Sequence, residues 1–235
     1  MNVEVYLMEA FSDNFFHIPE LRNQAEVFRD REHAGEVLSK MLKQYKNSDT
    51  VVFAIPGGGV PVGSAAAKNL QIPLDVAVVS KITLPWNTEA GYGAVAFDGT
   101  VRINRNIVSR TGLSENEVEK GIEKTLNKVK KRVMKFRKVK SPIQVERRAV
   151  ILVDDGIASG FTMLVAVESL KNYGADEIIV AVPTGHWNAI KHIVPKVESV
   201  CCANLRSGWA FAVADAYMNW SDVTEDEVIQ ILKKF

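Results

Sequence analysis

Cysteine is scarce in this chain: the only two, Cys201 and Cys202, are adjacent. Neighbouring cysteines close a ring too small for ordinary disulfide geometry, so no internal bridge is expected, and the usage suits a reducing cytosol. Charge of one sign is lacking as well. Lys plus Arg number 29 against 28 Asp plus Glu, a formal net charge of +1, which excludes a general polyanion binder and requires any anion site to be local. No apolar run approaches the 18 or so residues of a membrane helix, and no membrane partner is expected. Glu4 and Glu9 fall where a secretory leader would be basic and then apolar, so the chain is read as soluble, unprocessed and cytoplasmic. His17, His33, His186 and His192 stand apart from cysteines and acids, so no protein zinc site is expected. What remains is an average globular composition, 47% apolar and 24% charged over 235 residues, enough for one large α/β domain with an appendage.

Along the chain, residues 1–28 carry scattered aromatics (Tyr6, Phe11, Phe15, Phe16) and read as an N-terminal arm, an added hairpin or a hood segment. From Asp30, apolar residues at helical spacing (Ala34, Val37, Leu38, Met41, Tyr45) predict a capped helix to about Lys46. The apolar run Val51 to Ile55 then leads into Pro56, Gly57, Gly58 and Gly59, and an alanine-rich helix follows to Leu70. A second buried strand is expected over Leu74 to Val79, with a long loop, KITLPWNTEAGYG, after it. Asp98-Gly99 marks a hairpin between Ala94–Phe97 and Thr100–Asn104. Residues 114–139 form an amphipathic helix rich in lysine and arginine. Lys128, Lys130, Lys131, Arg132, Lys135, Arg137, Lys138 and Lys140 read as a solvated face or as an RNA-binding stripe; its apolar side and preceding glutamates favour the solvated face, so no nucleic-acid partner is expected. Strands at Ala149–Val153, Glu177–Val182 and Val197–Ala203 alternate with helices at about Phe161–Tyr173 and His186–Val194, and Thr224 opens a last helix. Such alternation predicts a mainly parallel sheet flanked by helices.

Chemistry concentrates in AVILVDDGIASGFTMLVAVESL, residues 149–170. A buried strand delivers Asp154 and Asp155 at its C-terminal end, where α/β sheets place ligands. The following residues Gly156, Ile157, Ala158, Ser159, Gly160 and Thr162 open a helix. Small residues let backbone amides approach an anion, the helix N-terminus presents free N–H groups, and two hydroxyls add donors. That cup fits phosphate. The acids ahead of it suit sugar hydroxyls or a hydrated Mg2+, so a sugar phosphate satisfies both halves. Rival motifs fail on counting: Gly58 to Gly63 has the P-loop spacing but Ser64 stands where lysine is needed, and Val62 takes the last glycine position of a dinucleotide fingerprint. As a plain structural alternative, Asp154 and Asp155 end a strand and cap a helix, and Gly57 to Gly59 make a turn.

VILVDDGIASGFT resembles the 5-phosphoribosyl 1-pyrophosphate (PRPP) motif of type I phosphoribosyltransferases. AIPGGGV resembles their pyrophosphate loop, Lys81 their basic residue beyond a later strand, and AVAFDGTVRIN their hairpin. The resemblance spans about residues 28–235, and FRDREHAGEVL with DVTEDEVIQIL is most similar to a little-characterised branch of that family. It implies a type I phosphoribosyltransferase-like α/β domain over residues 29–235, with a small hood from the terminal segments, about 204–235 at the C-terminal end. It also implies transfer of 5-phosphoribosyl from PRPP to a nitrogen acceptor such as a nucleobase. The implied roles are PRPP binding by Asp154, Asp155, Gly156, Ile157, Ala158, Ser159, Gly160 and Thr162, and pyrophosphate binding by Pro56, Gly57, Gly58, Gly59 and Lys81. Lys81, Asp154 and Asp155 are then the catalytic candidates and Trp209 and Phe211 the base platform, with Tyr217 a further stacking candidate; core packing is the equal alternative for each of the three aromatics. Mg2+ is implied through PRPP and water near the acids rather than through direct protein ligands, and the assembly expected is a homodimer. Two departures bear on mechanism: Ala158 stands where purine-salvage members carry a third acid, and Gly58 where related loops often carry arginine. Both fit, as the alternative, a regulatory protein that binds PRPP or a nucleotide without turnover. Residues 82–93, with Gly91 and Gly93, are expected to form a lid.

Overall fold

The computed structural model of the chain describes residues 9–235, which places Tyr6 outside the described residues. In chain order the elements are β1 (Glu9–Ser12), β2 (Phe15–His17), α1 (Arg31–Met41), β3 (Val51–Ala54), α2 (Gly59–Leu70) and β4 (Leu74–Val76). There follow β5 (Val79–Leu84), β6 (Asn87–Ala96), β7 (Val101–Ile103), α3 (Arg105–Thr111), α4 (Glu115–Arg137) and β8 (Ala149–Val153). The chain closes with α5 (Phe161–Asn172), β9 (Glu177–His186), α6 (Trp187–Ile193), β10 (Ser199–Arg206) and α7 (Glu225–Leu232).

Seven strands form the main sheet in the order β1-β2-β10-β9-β8-β3-β4, parallel throughout except for β1 against β2. The register of β8 with β3 and β9 aligns Ile151 with Val52 and Ile179. Alternate residues of these strands enter two different cores. Val52, Ala54, Ile151, Val153, Ile179 and Ala181 pack on one face with residues of α1, α2 and α4, while Val51, Phe53, Val150, Leu152, Ile178 and Val180 pack on the other with residues of α5 and α6. A parallel sheet covered on both faces requires near-continuous apolar strands, and this is why the runs read as buried in the sequence. Helix starts follow local chemistry: Asp30, Ser114 and Thr224 each accept a hydrogen bond from an amide in the first turn of the helix they cap.

Several boundaries differ from expectation. The single strand Leu74 to Val79 is two: β4 ends at Val76, and Val79 begins β5 in a separate antiparallel sheet, β5-β6-β7. Both runs are buried, and an apolar run alone does not reveal a change of sheet. The segment expected as a loop and lid is a β-hairpin turning at Pro85 and Trp86. Its glycines serve close approach across strands. A Cβ at Gly91 would overlap the Lys81 side chain, and one at Gly93 would lie 2.7 Å from the Arg102 carbonyl oxygen. Helix α3, capped by Asn104, follows directly on the hairpin, where no element was expected. The first helix stops at Met41 with a 3-10 turn beyond it, and β9 continues through Pro183 and Gly185 to His186. In the N-terminal segment, β2 joins the main sheet beside β10.

Candidate active site

Strands β3 and β8 are neighbours, so their C-terminal ends bring the glycine loop and the acidic pair together. A Cβ on Gly59 would come within 2.9 Å of Asp154 Cα and 3.1 Å of its Oδ1, a contact only glycine permits. Gly59 itself donates its amide to Ile55 O at 3.1 Å, and Val60 donates to Gly57 O at 3.0 Å. The open amides of this loop, among the described residues, are therefore those of Gly57 and Gly58. Pro56 is buried behind them.

The two carboxylates differ in their surroundings. Asp154 Oδ1 accepts the Asp155 amide at 2.9 Å. Burial, reinforced by repulsion from Asp155, pushes the Asp154 carboxyl well above the usual carboxylate range. Asp155 is also raised by burial, but a guanidinium opposes the shift. That group is Arg31, whose Nε and Nη2 reach Asp155 Oδ2 at 3.0 and 2.9 Å while Nη1 donates to Ser221 O at 2.7 Å. The guanidinium stacks over the Trp220 ring, 3.9 Å from its centroid. The Tyr217 hydroxyl donates to the Asp155 carbonyl at 2.7 Å. Tyr217 is thus a buried brace for the acidic turn, in keeping with core packing, the other role open to it.

Gly58 lies against the same pair. A Cβ there would overlap the Asp155 carboxylate and stand 3.0 Å from Arg31 Nε. The arginine that the loop lacks at position 58 thus has a counterpart in space, since Arg31 brings its cation to that spot from α1. Sequence reasoning used the FRDREHAG segment only as a helix start and family marker; a charged residue on an otherwise apolar helical face was the available signal. The C-terminal segment closes over both loops, with Val223 O 2.6 Å from a Cβ at Gly57 and Val213 Cγ1 2.5 Å from one at Gly156.

The cup after β8 is tethered at one residue. Ile157 is buried, donates to Thr184 O at 3.0 Å and accepts from the His186 amide at 2.9 Å. It anchors the loop to β9 instead of presenting a free amide. Beyond it, the amides of Ala158, Ser159, Gly160 and Thr162 have no acceptor among the described residues. Gly160 has φ +76° and caps α5, a left-handed conformation that other residues rarely adopt. Ala158 and Ser159 are exposed. The arrangement offers a row of unpaired donors at a helix N-terminus, directly after two half-buried carboxylates, which is the complement of a phosphate attached to a polyol.

Lys81 is not brought to these groups. It lies within β5 and lines a separate cavity between the hairpin and α4, because the second apolar run leaves the main sheet before reaching it. Trp209 is fully exposed and makes no ring contact among the described residues. Phe211 lies closer to the cup, its ring 5.7 Å from His186, which is bonded to Ile157. The basic face of α4 is partly spent on the tail: Arg132 pairs with Glu225 and Lys135 with Glu225 and Asp226. No helix among the described residues is long and apolar enough to cross a membrane.

Comparison with known proteins agrees with this geometry. A family model described as the phosphoribosyl transferase domain matches residues 24–218. Two Mycobacterium tuberculosis proteins, whose names assign them provisionally to the phosphoribosyl transferases, are each 34% identical over 209 residues, covering 89% of this chain and 47% of theirs. The chain therefore spans about half the length of these curated relatives. The crystal structure of the protein TT1426 from Thermus thermophilus superposes with a TM-score of 0.71 at 30% identity, covering 88% of this chain and 98% of that one.

Proposed function

Because the chain belongs to the phosphoribosyl transferase domain family, we propose that it transfers the 5-phosphoribosyl group of PRPP to a nitrogen acceptor, a nucleobase, and releases pyrophosphate. The observation that carries this reading is the set of unpaired amides at Ala158, Ser159, Gly160 and Thr162 directly behind the Asp154–Asp155 pair, with the glycine loop against the same carboxylates.

In this reading the 5-phosphate sits on the amides of Ala158, Ser159, Gly160 and Thr162 with the Ser159 and Thr162 hydroxyls, and the ribose hydroxyls donate to Asp154 and Asp155. Breaking the anomeric C–O bond builds positive charge on the ribose and negative charge on the leaving pyrophosphate. A carboxylate beneath the sugar stabilises the first, and donors aimed at the second stabilise it. Gly57 and Gly58 supply open amides for the pyrophosphate, and Arg31 supplies the nearest cation. The Asp154 carboxyl, raised by burial and by repulsion from Asp155, gives up its proton less readily than an ordinary aspartate. Mg2+ fits here only at a remove: Arg31 takes an oxygen of Asp155, the Asp155 amide takes an oxygen of the half-buried Asp154, and no cluster of three His, Cys, Asp or Glu exists among the described residues. Asp154 and Asp155 would hold the ion through its water shell, and it would offset pyrophosphate charge. Phe211, at the edge of the cup, is the nearer base platform and Trp209 the outer one. We further propose a cytoplasmic homodimer.

Pyrophosphate release from PRPP and Mg2+ across a panel of purine and pyrimidine bases tests the reading, with base-dependent release expected. Ala158 supplies no proton-transfer group beside the cup, which favours a PRPP-binding regulator as the second reading. PRPP binding without release for any base would select it, and no PRPP binding at all would overturn both.

A further inference from the structure

A cavity of about 600 Å³ opens between the β5–β6 hairpin and α4, and no residue of the acidic pair, the cup or the glycine loop lines it. Its wall is strongly basic. Lys120, Lys124 and Lys128 stand at four-residue intervals on one face of α4, and Lys81 faces them from β5. Like charges at that helical spacing oppose one another, and none of the three α4 lysines forms an ion pair among the described residues. The one carboxylate described on the wall is engaged elsewhere. Glu117 accepts from Ser114 N at 2.9 Å and Oγ at 2.7 Å, and those bonds hold it below the usual carboxylate range.

A neutral donor completes the wall. Tyr92 is 1% exposed, and its hydroxyl has no hydrogen-bond partner among the described residues. The hydroxyl fits because α4 has glycine opposite: a Cβ at Gly121 would overlap it. Burial and the nearby Glu117 raise this phenol above its ordinary value, so it stays protonated and can donate. Ile82 and Leu84 lie beneath as apolar floor. Several cations and a phenol donor in a concave space match a compact, multiply charged anion, and the apolar floor leaves room for a non-polar group attached to it.

We propose that this cavity is a second anion site, separate from the phosphoribosyl site, that takes a polyphosphate group, either as an inorganic chain or as the tail of a nucleotide. The assignment does not depend on the transferase reading.

Calorimetric titration in EDTA, which removes Mg2+, uses inorganic tripolyphosphate in one arm and ATP in the other. With Lys120→Ala plus Lys124→Ala, affinity for the probe should fall at least tenfold, while ribose 5-phosphate affinity stays unchanged. With Asp154→Asn plus Asp155→Asn, probe affinity should stay within about twofold. Tyr92→Phe should weaken the probe several-fold with an unchanged melting temperature, and Lys128→Gln supplies a second lysine variant. ATP binding more tightly than tripolyphosphate assigns a nucleotide; equal affinity assigns the inorganic chain. Unaltered binding in the lysine variants, or loss in the aspartate variant, overturns the proposal. So would an oligonucleotide that binds more tightly than either probe and is lost with the same lysines.

Discussion

The two polar regions of this molecule are built in opposite ways. At the end of β8, the carboxylates are half-buried, raised in pKa by burial, braced by Arg31 and Tyr217, and followed within a few residues by the amides that complete the cup. Between the hairpin and α4, ammonium groups from distant segments share a solvent-open wall. Buried charge needs partners of fixed geometry because desolvation is costly, so the first region is rigidly over-determined. Charge in contact with water does not require them, so Lys120, Lys124 and Lys128 stand ready for a ligand.

Removing the acids is expected to have the largest effect. Asp154→Asn with Asp155→Asn should lower base phosphoribosylation by about 10³-fold or more, since several charge-assisted bonds to the ribose are lost together. Steady-state kinetics with circular dichroism checks this, and a folded variant retaining PRPP affinity would break the contrast at its root. Arg31→Met comes next. It strands Asp155 without its cation in a site where their side chains are only 10% and 17% exposed, and the loss should be about 3 kcal/mol in urea unfolding. A change below about 0.5 kcal/mol would show the clasp to be a surface pair.

Thr162→Val should weaken ribose 5-phosphate by about tenfold, the loss of one charge-assisted hydrogen bond. If only PRPP binding weakened, the 5-phosphate would have to lie elsewhere. Asp154→Asn alone sharpens the electrostatic half of the contrast. The folded carboxyl titrates well above its ordinary value of 3.8, so the native state holds its proton more strongly than the unfolded chain. Stability contributed by that proton is fully present below the unfolded value and is lost as pH rises through the folded one. The variant should therefore melt higher than the parent at neutral pH, and the gap should close in acid. A gap independent of pH would remove the burial argument. The smallest effect is expected at Lys81. With its side chain on the hairpin wall, Lys81→Ala should change kcat by less than about threefold, against the hundredfold of a strong oxyanion donor. A hundredfold loss would show that the hairpin crosses to the glycine loop during turnover.

How far each region was legible follows from the same difference. The residues Asp154 to Thr162 are contiguous, and strand, acids, small-residue loop and helix start follow one another in a spacing that local geometry dictates. The placement of Ile157 was not legible, because a tether to Thr184 and His186 depends on which strand lies beside β8. Arg31 was hidden for the same reason: its partner is 124 positions away. The hairpin was misread because Gly91 and Gly93 carry the marks of a flexible loop, while their reason is close packing against Lys81 and Arg102. Lys81 was read as the end of a main-sheet strand because a buried run does not record where one sheet ends and another begins.

The sequence by itself determined the elements whose cause is local: the apolar strands, the capped helices and the phosphate-shaped loop behind two acids. Tertiary structure alone decided which cation meets Asp155, which amides of the two loops stay open, and which lysines share a cavity. Those outcomes depend on strand order and on helix faces brought together across long stretches of chain, and a pairwise contact in space leaves no periodicity or spacing in the residues that make it.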